Sequence, residues 1–379
     1  MIKPNYESGN IVNLVNSILK YYNIKGDYPP LSDFDLPKHK QLVFMVIDGM
    51  GLDFLEKHGA DSFLYKHLKM ELTSVFPSTT SAALTTLMTG TAPQMHGLTG
   101  WYMYFRELAT AGVTLPFSPR FIKKSFSNFE IDINEIFDFE TIFQKIDKSM
   151  MLINPQVTID SPFSNYCYAG KPKKGYTEVD ECFSLVKEEL EKKTEMIYVY
   201  IPHFDDTAHK NGINSSEARE LFKKIDESFK NLIKETKNPD TLFIVTADHG
   251  LIDATPDKII NLDDYHDIQD CLILPICGDP RVAYCYVRPY CLNYFRKKVD
   301  FYLSHACRRY SFDYLFTRSY FGKDVTANQK FLDRIGDEIL IMKDNYVLYE
   351  KVWKEEDVKL VGFHGGLSRE EMIVPLIVV

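Results

Sequence analysis

The sequence predicts an α/β fold with a doubly wound, mainly parallel sheet and a smaller inserted region. Three observations predict it: apolar runs of strand length recur along the chain, segments of helical periodicity lie between them, and polar residues follow the runs directly. Strands that alternate with helices form a parallel sheet with helices on both faces. The chain has 379 residues, which fits one large domain with an insertion better than three separate domains.

Five apolar runs are predicted to form strands that are buried on both faces of this sheet. They cover residues 42–47, 150–153, 196–201, 242–246 and 373–379. Helical spacing of apolar residues is clearest at residues 179–192 and 217–234. Sheets of this kind collect ligands outside the carboxyl ends of their strands, so the residues that follow each run are candidates for a site.

Two segments interrupt the alternation of strands and helices. Residues 100–135 are rich in aromatic side chains and are expected to be irregular. Residues 256–360 combine short strand patterns with one helical pattern and separate two groups of candidate functional residues. We therefore expect residues 1–255 together with 361–379 to form an α/β core, and residues 256–360 to be an inserted cap.

The composition excludes several classes of protein. The formal net charge is −9 and no dense run of Lys and Arg occurs, so a nucleic-acid polymer is not expected as a partner. No apolar stretch approaches the roughly 20 residues that a membrane span requires. Residues 1–25 predict an amphipathic helix instead of a signal peptide, and the seven cysteines form no CxxC pair. These features favour a cytoplasmic protein with reduced thiols.

Carboxylate and imidazole side chains follow several predicted strands, and one more lies near the C-terminus. They are Asp48, Asp205, His209, Asp248, His249 and His364. Asp205 and His209 are four residues apart, which places both side chains on one face of a helical turn. Mixed carboxylate and imidazole sets are typical of catalytic zinc. Each pair alone is also explained by a helix pair or a turn, but their joint occurrence at strand ends indicates a metal site.

The segment FPSTTSAALTTLMTG predicts a helix that begins in a Ser/Thr cluster and ends at Gly90. Thr80 within this cluster has two interpretations. It is a residue of a hydroxyl cap that satisfies a free backbone N–H, or it is a nucleophile. The second interpretation follows because a helix N-terminus favours a phosphoryl oxygen and a hydroxyl beside a metal ion loses its proton readily.

Five blocks in this order resemble the metal-site motifs of the alkaline phosphatase superfamily. They are Asp48-Gly49, FPSTTSAALTTLMTG with the following APQMHG, Asp205-x-x-x-His209-x-x-Gly212, Thr246-Ala247-Asp248-His249-Gly250 and Gly362-Phe363-His364-Gly365. The pattern is most similar to the type I phosphodiesterase/nucleotide pyrophosphatase branch and extends from about residue 42 to the C-terminus. It implies an alkaline-phosphatase-like α/β fold and hydrolysis of phosphodiester or pyrophosphate bonds in small, nucleotide-type substrates.

The resemblance also implies a role for each candidate residue. The ligands of one zinc ion would be Asp205, His209 and His364, and those of the other would be Asp48, Asp248 and His249. Thr80 would contact the second ion and attack phosphorus, which gives a phosphothreonine intermediate. Manganese is accepted by the same ligand types.

The chain departs from the family pattern at two positions beside the nucleophile. Trp101 occupies the place where many members carry an Asn that donates to a phosphoryl oxygen, and Thr79 replaces a residue that is often basic. Trp101, Tyr102 and Tyr104 are the candidate substrate contacts, because related enzymes stack planar groups on aromatic residues from this region.

Two alternatives remain open at this stage. A phosphomonoesterase or phosphomutase of the same superfamily would need cationic groups around a dianionic phosphate, and the sequence around Thr80 offers none. A non-catalytic binding protein is disfavoured because all six metal ligands and the nucleophile are present.

Overall fold

The computed structural model describes residues 1–236, 239–323, 325–352, 355 and 359–379 of the chain. Among these residues, a sheet of seven strands forms the centre. From edge to edge its strands are Leu68–Thr73, Ile373–Val378, Thr241–Thr246, Gln41–Ile47, Met196–Ile201, Met150–Pro155 and Lys173–Tyr176. Within this sheet only Ile373–Val378 runs antiparallel to its neighbours, so the mainly parallel sheet is confirmed. Each predicted apolar run lies in one of these strands.

Helices cover both faces of the central sheet. Phe243 packs against Phe229 of a long helix, with ring centroids 5.8 Å apart. Phe44 lies on the adjacent strand, one residue out of register with Phe243, so its side chain points to the opposite face. On that face Tyr198 contacts Phe44 and also Phe143 of a second helix. Burial on both faces explains why these strands read as continuous apolar runs.

The N-terminal helix, Ile11–Tyr21, is buried almost all round, whereas the sequence predicts an amphipathic helix. Its polar residues are satisfied by hydrogen bonds inside the protein. Asn13 donates to two backbone carbonyls, and Asn16 Nδ2 donates to the carbonyl of Gly90 at 2.8 Å. The helix packs against the Thr80–Thr89 helix, so it supports the element that carries the candidate nucleophile.

A second sheet of seven strands is antiparallel throughout. In spatial order its strands are Cys307–Ser311, Glu338–Met342, Val282–Cys285, Cys277–Asp279, Tyr102–Phe105, Thr110–Val113 and Ser118–Pro119. Residues 100–135, expected to be irregular, thus contribute three strands to it. These strands have two to four residues, too short for a period of two to be read from the sequence, and a distant segment completes their pairing. The division into a core and a cap at residues 256–360 stays a prediction.

Two further pairs of short strands complete the framework. They are Ile252–Asp253 with Gly362–Phe363, and Ile259–Asn261 with Val347–Tyr349. The first pair is antiparallel and joins the segment that follows His249 to the segment that precedes His364. This pairing brings His249 and His364 close together, although they are far apart in the sequence.

The remaining helices connect these strands. They are Leu52–His58, Phe63–Lys66, Pro93–His96, Ile133–Ile136, Ile142–Lys145, Pro162–Tyr168, Val179–Glu191, His203–Asn211, Ser216–Thr236, His266–Gln269, Leu292–Tyr302, Phe312–Thr317, Gln329–Asp333 and Arg369–Met372. The two clearest helix predictions are therefore confirmed. No helix in the described part of the chain combines the length and apolarity that crossing a bilayer requires. All seven cysteines are free thiols.

Candidate metal centre

The predicted ligands meet at the carboxyl edge of the central sheet. Asp48 directly follows the Gln41–Ile47 strand, and Asp248 follows the adjacent, parallel Thr241–Thr246 strand after one residue. Asp205 lies in the first turn of the helix that follows the neighbouring Met196–Ile201 strand. Because parallel strands end at one edge, three carboxylates separated by up to 200 positions in the sequence converge there.

His249 lies at the centre of the cluster. Its Nε2 atom is 3.4 Å from Asp48 Oδ1 and 3.4 Å from Asp248 Oδ2. Its ring stacks on that of His364 with centroids 3.8 Å apart. Among the described residues, two groups have donor atoms that all lie within 4.8 Å of one another. The groups are Asp48, Asp248 and His249, and Asp205, His249 and His364.

His209, the sixth predicted ligand, lies next to Asp205 and His364. Its Nε2 atom is 3.2 Å from Asp205 Oδ2, so the two residues share one face of the helix as their spacing predicts. Its ring centroid is 5.0 Å from that of His364. The structure thus brings all six predicted ligands together, but His249 is close to both groups. The assignment of each ligand to one particular ion stays a prediction.

Each of the three carboxylates has one oxygen without a hydrogen-bond partner among the described residues, and in Asp48 and Asp248 the other oxygen accepts hydrogen bonds from protein groups. Asp48 Oδ2 accepts a short hydrogen bond from the Tyr200 hydroxyl. Asp248 Oδ1 accepts the backbone N–H groups of Gly49 at 3.1 Å and His249 at 2.9 Å. The other oxygens are buried and have no hydrogen-bond partner among the described residues. These oxygens are Asp48 Oδ1, Asp205 Oδ1 and Asp248 Oδ2.

The three histidines share one hydrogen-bond pattern. In each, Nδ1 faces a backbone carbonyl, which can only accept, so Nδ1 carries the proton. The partners are Gly362 O at 2.7 Å for His209, Gly250 O at 3.2 Å for His249, and Ser78 O at 3.2 Å for His364. This arrangement fixes each ring and leaves Nε2 to provide a lone pair, as is usual for histidines that bind metals.

The pKa shifts of the clustered residues indicate that a cation would stabilise them. Burial raises the pKa of Asp48 well above its ordinary value, and the carboxylates of Asp248 and Asp205 raise it further. Burial also raises the pKa of Asp248 and lowers the pKa of His364. Burial would lower the pKa of His209, but Asp205 overrides it and raises that pKa to about 9. Buried carboxylates this close together resist ionisation unless a cation stabilises them.

The residues therefore fit divalent cations. Three unpaired carboxylate oxygens and the imidazole rings of three histidines converge in one largely buried cluster, and no Lys or Arg forms an ion pair with any of these carboxylates among the described residues. A buried unpaired oxygen costs about 1–3 kcal/mol, and more if it is charged, unless it has a ligand. Oxygen and nitrogen donors of this type suit zinc.

Thr80 lies directly beside the cluster. Its Oγ1 atom is 3.1 Å from His249 Nε2, and it is the first residue of the Thr80–Thr89 helix. The helix ends at Gly90 with φ 72°, as predicted. The hydroxyl cap predicted for the Ser/Thr cluster is not formed: the N-cap residue is Thr79, and its side chain donates to the Asp279 carboxylate at 2.9 Å instead of accepting from the helix. The first backbone N–H groups are thus left without a side-chain cap.

The predicted substrate contacts lie at different distances from the nucleophile segment. Trp101 is linked to it through Asp279, which accepts from the Trp101 backbone N–H at 3.3 Å and from the Thr79 hydroxyl at 2.9 Å. Tyr102 is half-buried and its ring is covered by the guanidinium of Arg120, 4.0 Å from the ring centroid. Tyr104 packs edge-on against another tyrosine of the second sheet, with centroids 5.4 Å apart. Substrate binding by these three residues stays a prediction.

The sequence predictions missed two residues that lie outside the ligand motifs and form hydrogen bonds with residues of the site. Tyr200 donates to Asp48, and Asp279 accepts from Thr79. The hydroxyl of Tyr200 near the end of the apolar Met196–Ile201 strand was a possible signal that this side chain faces the site. Asp279 offered none, because its segment comes close to Thr79 only through the pairing of the second sheet.

Comparison with known proteins gives a family match over most of the chain. The sequence profile of type I phosphodiesterase / nucleotide pyrophosphatase matches residues 42–367. The chain belongs to this family. It is therefore a hydrolytic enzyme of the phosphodiesterase and pyrophosphatase type, and the prediction of an enzyme is confirmed. Among curated protein sequences, none matches the chain significantly.

Solved structures share the fold of this family member at low identity. Murine ectonucleotide pyrophosphatase / phosphodiesterase 5 is 19% identical, with a TM-score of 0.66, over 89% of this chain and 87% of that one. A second murine structure is an inactive threonine-to-alanine variant in complex with AMP. Phosphonoacetate hydrolase from Sinorhizobium meliloti 1021, in complex with phosphonoformate, is 18% identical with a TM-score of 0.63 over 90% of both chains. These likenesses confirm the alkaline-phosphatase-like α/β fold.

Proposed function

We propose that this enzyme is a two-metal hydrolase that cleaves phosphodiester or pyrophosphate bonds of small, nucleotide-type substrates through a phosphothreonine at Thr80. One observation carries the proposal. The three unpaired carboxylate oxygens and the three histidine rings, each fixed by a hydrogen bond at Nδ1, converge beside the Thr80 hydroxyl. The family match supports the reaction type, and the AMP complex of the murine relative supports a nucleotide-type substrate.

We further propose that both ions are zinc. Asp205, His209 and His364 would hold one ion, and Asp48, Asp248 and His249, with Thr80, would hold the other. When bound, such ions act as Lewis acids that stabilise the negative charge of a transferring phosphoryl group. The equal numbers of imidazoles and carboxylates favour zinc, while the carboxylates make manganese the main alternative.

Thr80 performs the covalent step in this proposal. The Thr80 hydroxyl loses its proton and its Oγ forms a bond to phosphorus as the bond from phosphorus to the leaving oxygen breaks. The leaving group takes up a proton and departs as an alcohol or a phosphate, and the phosphothreonine keeps the other ester substituent. Water then attacks phosphorus, the bond from Thr80 Oγ to phosphorus breaks, a proton of the water restores the hydroxyl, and a phosphomonoester is released. A buried Thr80, 8% exposed, keeps bulk water away from the first step.

The start of the Thr80–Thr89 helix supplies the second contribution. Thr80 is the first residue of this helix, so in this proposal the first backbone N–H groups and the positive end of the helix dipole would stabilise a phosphoryl oxygen beside Thr80. Because Thr79 donates to Asp279 instead of capping the helix, its side chain does not compete for those N–H groups. Fixed donors of this kind stabilise developing charge without reorganisation.

The test is Thr80→Ala in the zinc-loaded protein, assayed with bis-p-nitrophenyl phosphate. We expect turnover to fall by at least about 10³-fold, since the covalent route is lost, while the bound zinc falls by less than one equivalent because six other ligands remain. The matched control is Thr89→Ala in the same helix, whose hydroxyl bonds to Thr85 O and Thr91 and lies outside the site. It should retain turnover.

Two outcomes would contradict the proposal. Turnover by Thr80→Ala close to that of the wild type would exclude the phosphothreonine, and loss of both turnover and zinc would make Thr80 structural. Chelator treatment of the wild type should abolish hydrolysis, and zinc should restore it. Restoration by manganese alone would replace the zinc assignment.

A further inference from the structure

A buried carboxylate outside the ligand cluster, Asp279, lies against the segments of Thr79 and Trp101. Asp279 ends a strand of the second sheet and is 6% exposed. Its Oδ1 accepts from the Thr79 hydroxyl at 2.9 Å, and its Oδ2 accepts from the Trp101 backbone N–H at 3.3 Å. On another side it adjoins Gly365, where an added Cβ would lie 3.0 Å from Asp279 Cβ. Asp279 therefore lies between the residue before Thr80 and the residue after His364.

This carboxylate has no ion-pair partner among the described residues. Both of its hydrogen-bond donors are neutral. The nearest basic residue in sequence, Arg281, is committed to a bidentate pair with Glu371. Burial raises the pKa of Asp279 to about 6, so the group is ionised at pH 8. A fixed negative charge thus borders the site at low dielectric, where charge interactions are stronger than in water.

The positions of Thr79 and Trp101, the two hydrogen-bond donors to Asp279, indicate that the Asp279 charge affects which substrate is accepted. Thr79 directly precedes Thr80, and Trp101 is one of the candidate substrate contacts. The Thr79 hydroxyl donates to the Asp279 carboxylate, and so does the Trp101 backbone N–H. The charge at this wall of the site is therefore negative. A phosphodiester carries one negative charge at pH 8, whereas a phosphomonoester carries about two because its second pKa is about 6.

We propose that Asp279 is a specificity-determining positioning residue that restricts the enzyme to phosphoryl groups with a single negative charge. It repels the second charge of a monoester while it holds the Thr79 and Trp101 segments in place. The substrate class is thus singly charged phosphodiesters, and doubly charged monoesters are poor substrates. This inference rests on the proposed hydrolase function and narrows it.

The experiment compares kcat/KM for p-nitrophenyl phosphate and bis-p-nitrophenyl phosphate at pH 8 in the zinc-loaded enzyme. Asp279→Asn removes the charge and keeps one oxygen as an acceptor for Thr79. We expect the ratio of monoester to diester kcat/KM to rise about tenfold, equivalent to about 1.4 kcal/mol. The matched control is Asp300→Asn, which removes an exposed charge paired with Arg309 and should leave the ratio unchanged.

A purely structural role predicts a different pattern. In that case both activities fall together and the ratio stays constant, which overturns the proposal. Thr79→Val removes one hydrogen bond but keeps the carboxylate, so its ratio should stay within about twofold of the wild type even if both rates fall. A rise equal to that of Asp279→Asn would assign selectivity to the hydrogen bond and overturn the role of the charge.

Binding gives a readout that does not depend on turnover. By calorimetry at pH 8, inorganic phosphate should bind Asp279→Asn about tenfold more tightly than the wild type, and dimethyl phosphate should gain less because it carries one negative charge instead of about two. If Asp279→Asn does not fold, the wild type decides: comparable kcat/KM for both esters overturns the proposal. A wild type that cleaves neither ester contradicts the proposed function instead, so the two failures are distinguishable.

Discussion

The hydroxyl of Tyr200 offers a direct test of how the site is organised. Tyr200 donates a short hydrogen bond to Asp48 Oδ2, and both side chains are buried. Tyr200→Phe removes only the hydroxyl and keeps the ring. The Asp48 carboxylate then loses the donor that stabilises its ionised form, while Asp248 and Asp205 still oppose ionisation. We therefore expect weaker metal binding.

The magnitude follows from two independent considerations. A hydrogen bond to a charged group contributes about 1.5–3 kcal/mol. Loss of a residue that orients a metal ligand typically lowers metal affinity by about 10–100-fold, which corresponds to about 1.4–2.7 kcal/mol. The two ranges overlap, so the apparent zinc dissociation constant should rise by about 10–100-fold.

The assay is a competition titration with a chromophoric zinc chelator, together with thermal unfolding of the metal-free protein. The matched control is Tyr198→Phe, two residues earlier on the same strand, because the Tyr198 hydroxyl is buried without a hydrogen-bond partner among the described residues. Removing it should leave zinc affinity unchanged and should not destabilise the fold. Wild-type zinc affinity in Tyr200→Phe, or equal weakening in Tyr198→Phe, would refute the reasoning.

Two further predictions concern stability. Burial, assisted by a nearby arginine, lowers the pKa of His96 to about 3, below the value of about 6.5 expected for an unfolded chain. The stability that depends on neutral His96 is therefore fully present above pH 6.5 and is lost as the pH falls. Between pH 6.5 and 5, the unfolding free energy measured in urea should fall by about 1.5 kcal/mol more in the wild type than in His96→Gln. The same pH dependence in both proteins would contradict this prediction. Arg281 and Glu371 form a buried bidentate pair at 3.0 and 2.9 Å, so Arg281→Met should cost about 3–5 kcal/mol by urea denaturation, and the added change Glu371→Leu should recover part of it. As a control, Lys20→Met breaks an exposed ion pair with Asp35 and should lower the unfolding free energy by less than about 1 kcal/mol. If Arg281→Met and Lys20→Met lower it by similar amounts, burial of the Arg281–Glu371 pair is not the cause of the loss of stability.

The sequence predicted the central sheet and the side chains that meet at the candidate metal centre. Its signals are local: an apolar run records burial on both faces, and the spacing of Asp205 and His209 records one helix face. The carboxylates after Gln41–Ile47 and Thr241–Thr246 could be placed at one edge because parallel strands end together. Short strands such as Tyr102–Phe105 escaped prediction, since four residues do not establish a period.

Tertiary structure alone decided how these parts are joined. The pairing of Ile252–Asp253 with Gly362–Phe363 brings His364 onto the ring of His249, and no local pattern specifies that contact. The same holds for Tyr200 and Asp279, whose roles depend on which distant atoms their side chains meet. By itself the sequence determined which side chains are available for chemistry, because residue type and local spacing are written in it. Which of them lie close enough to share a proton or a charge was decided by long-range packing, because hydrogen bonds and Coulomb forces act over distances in space and not along the chain.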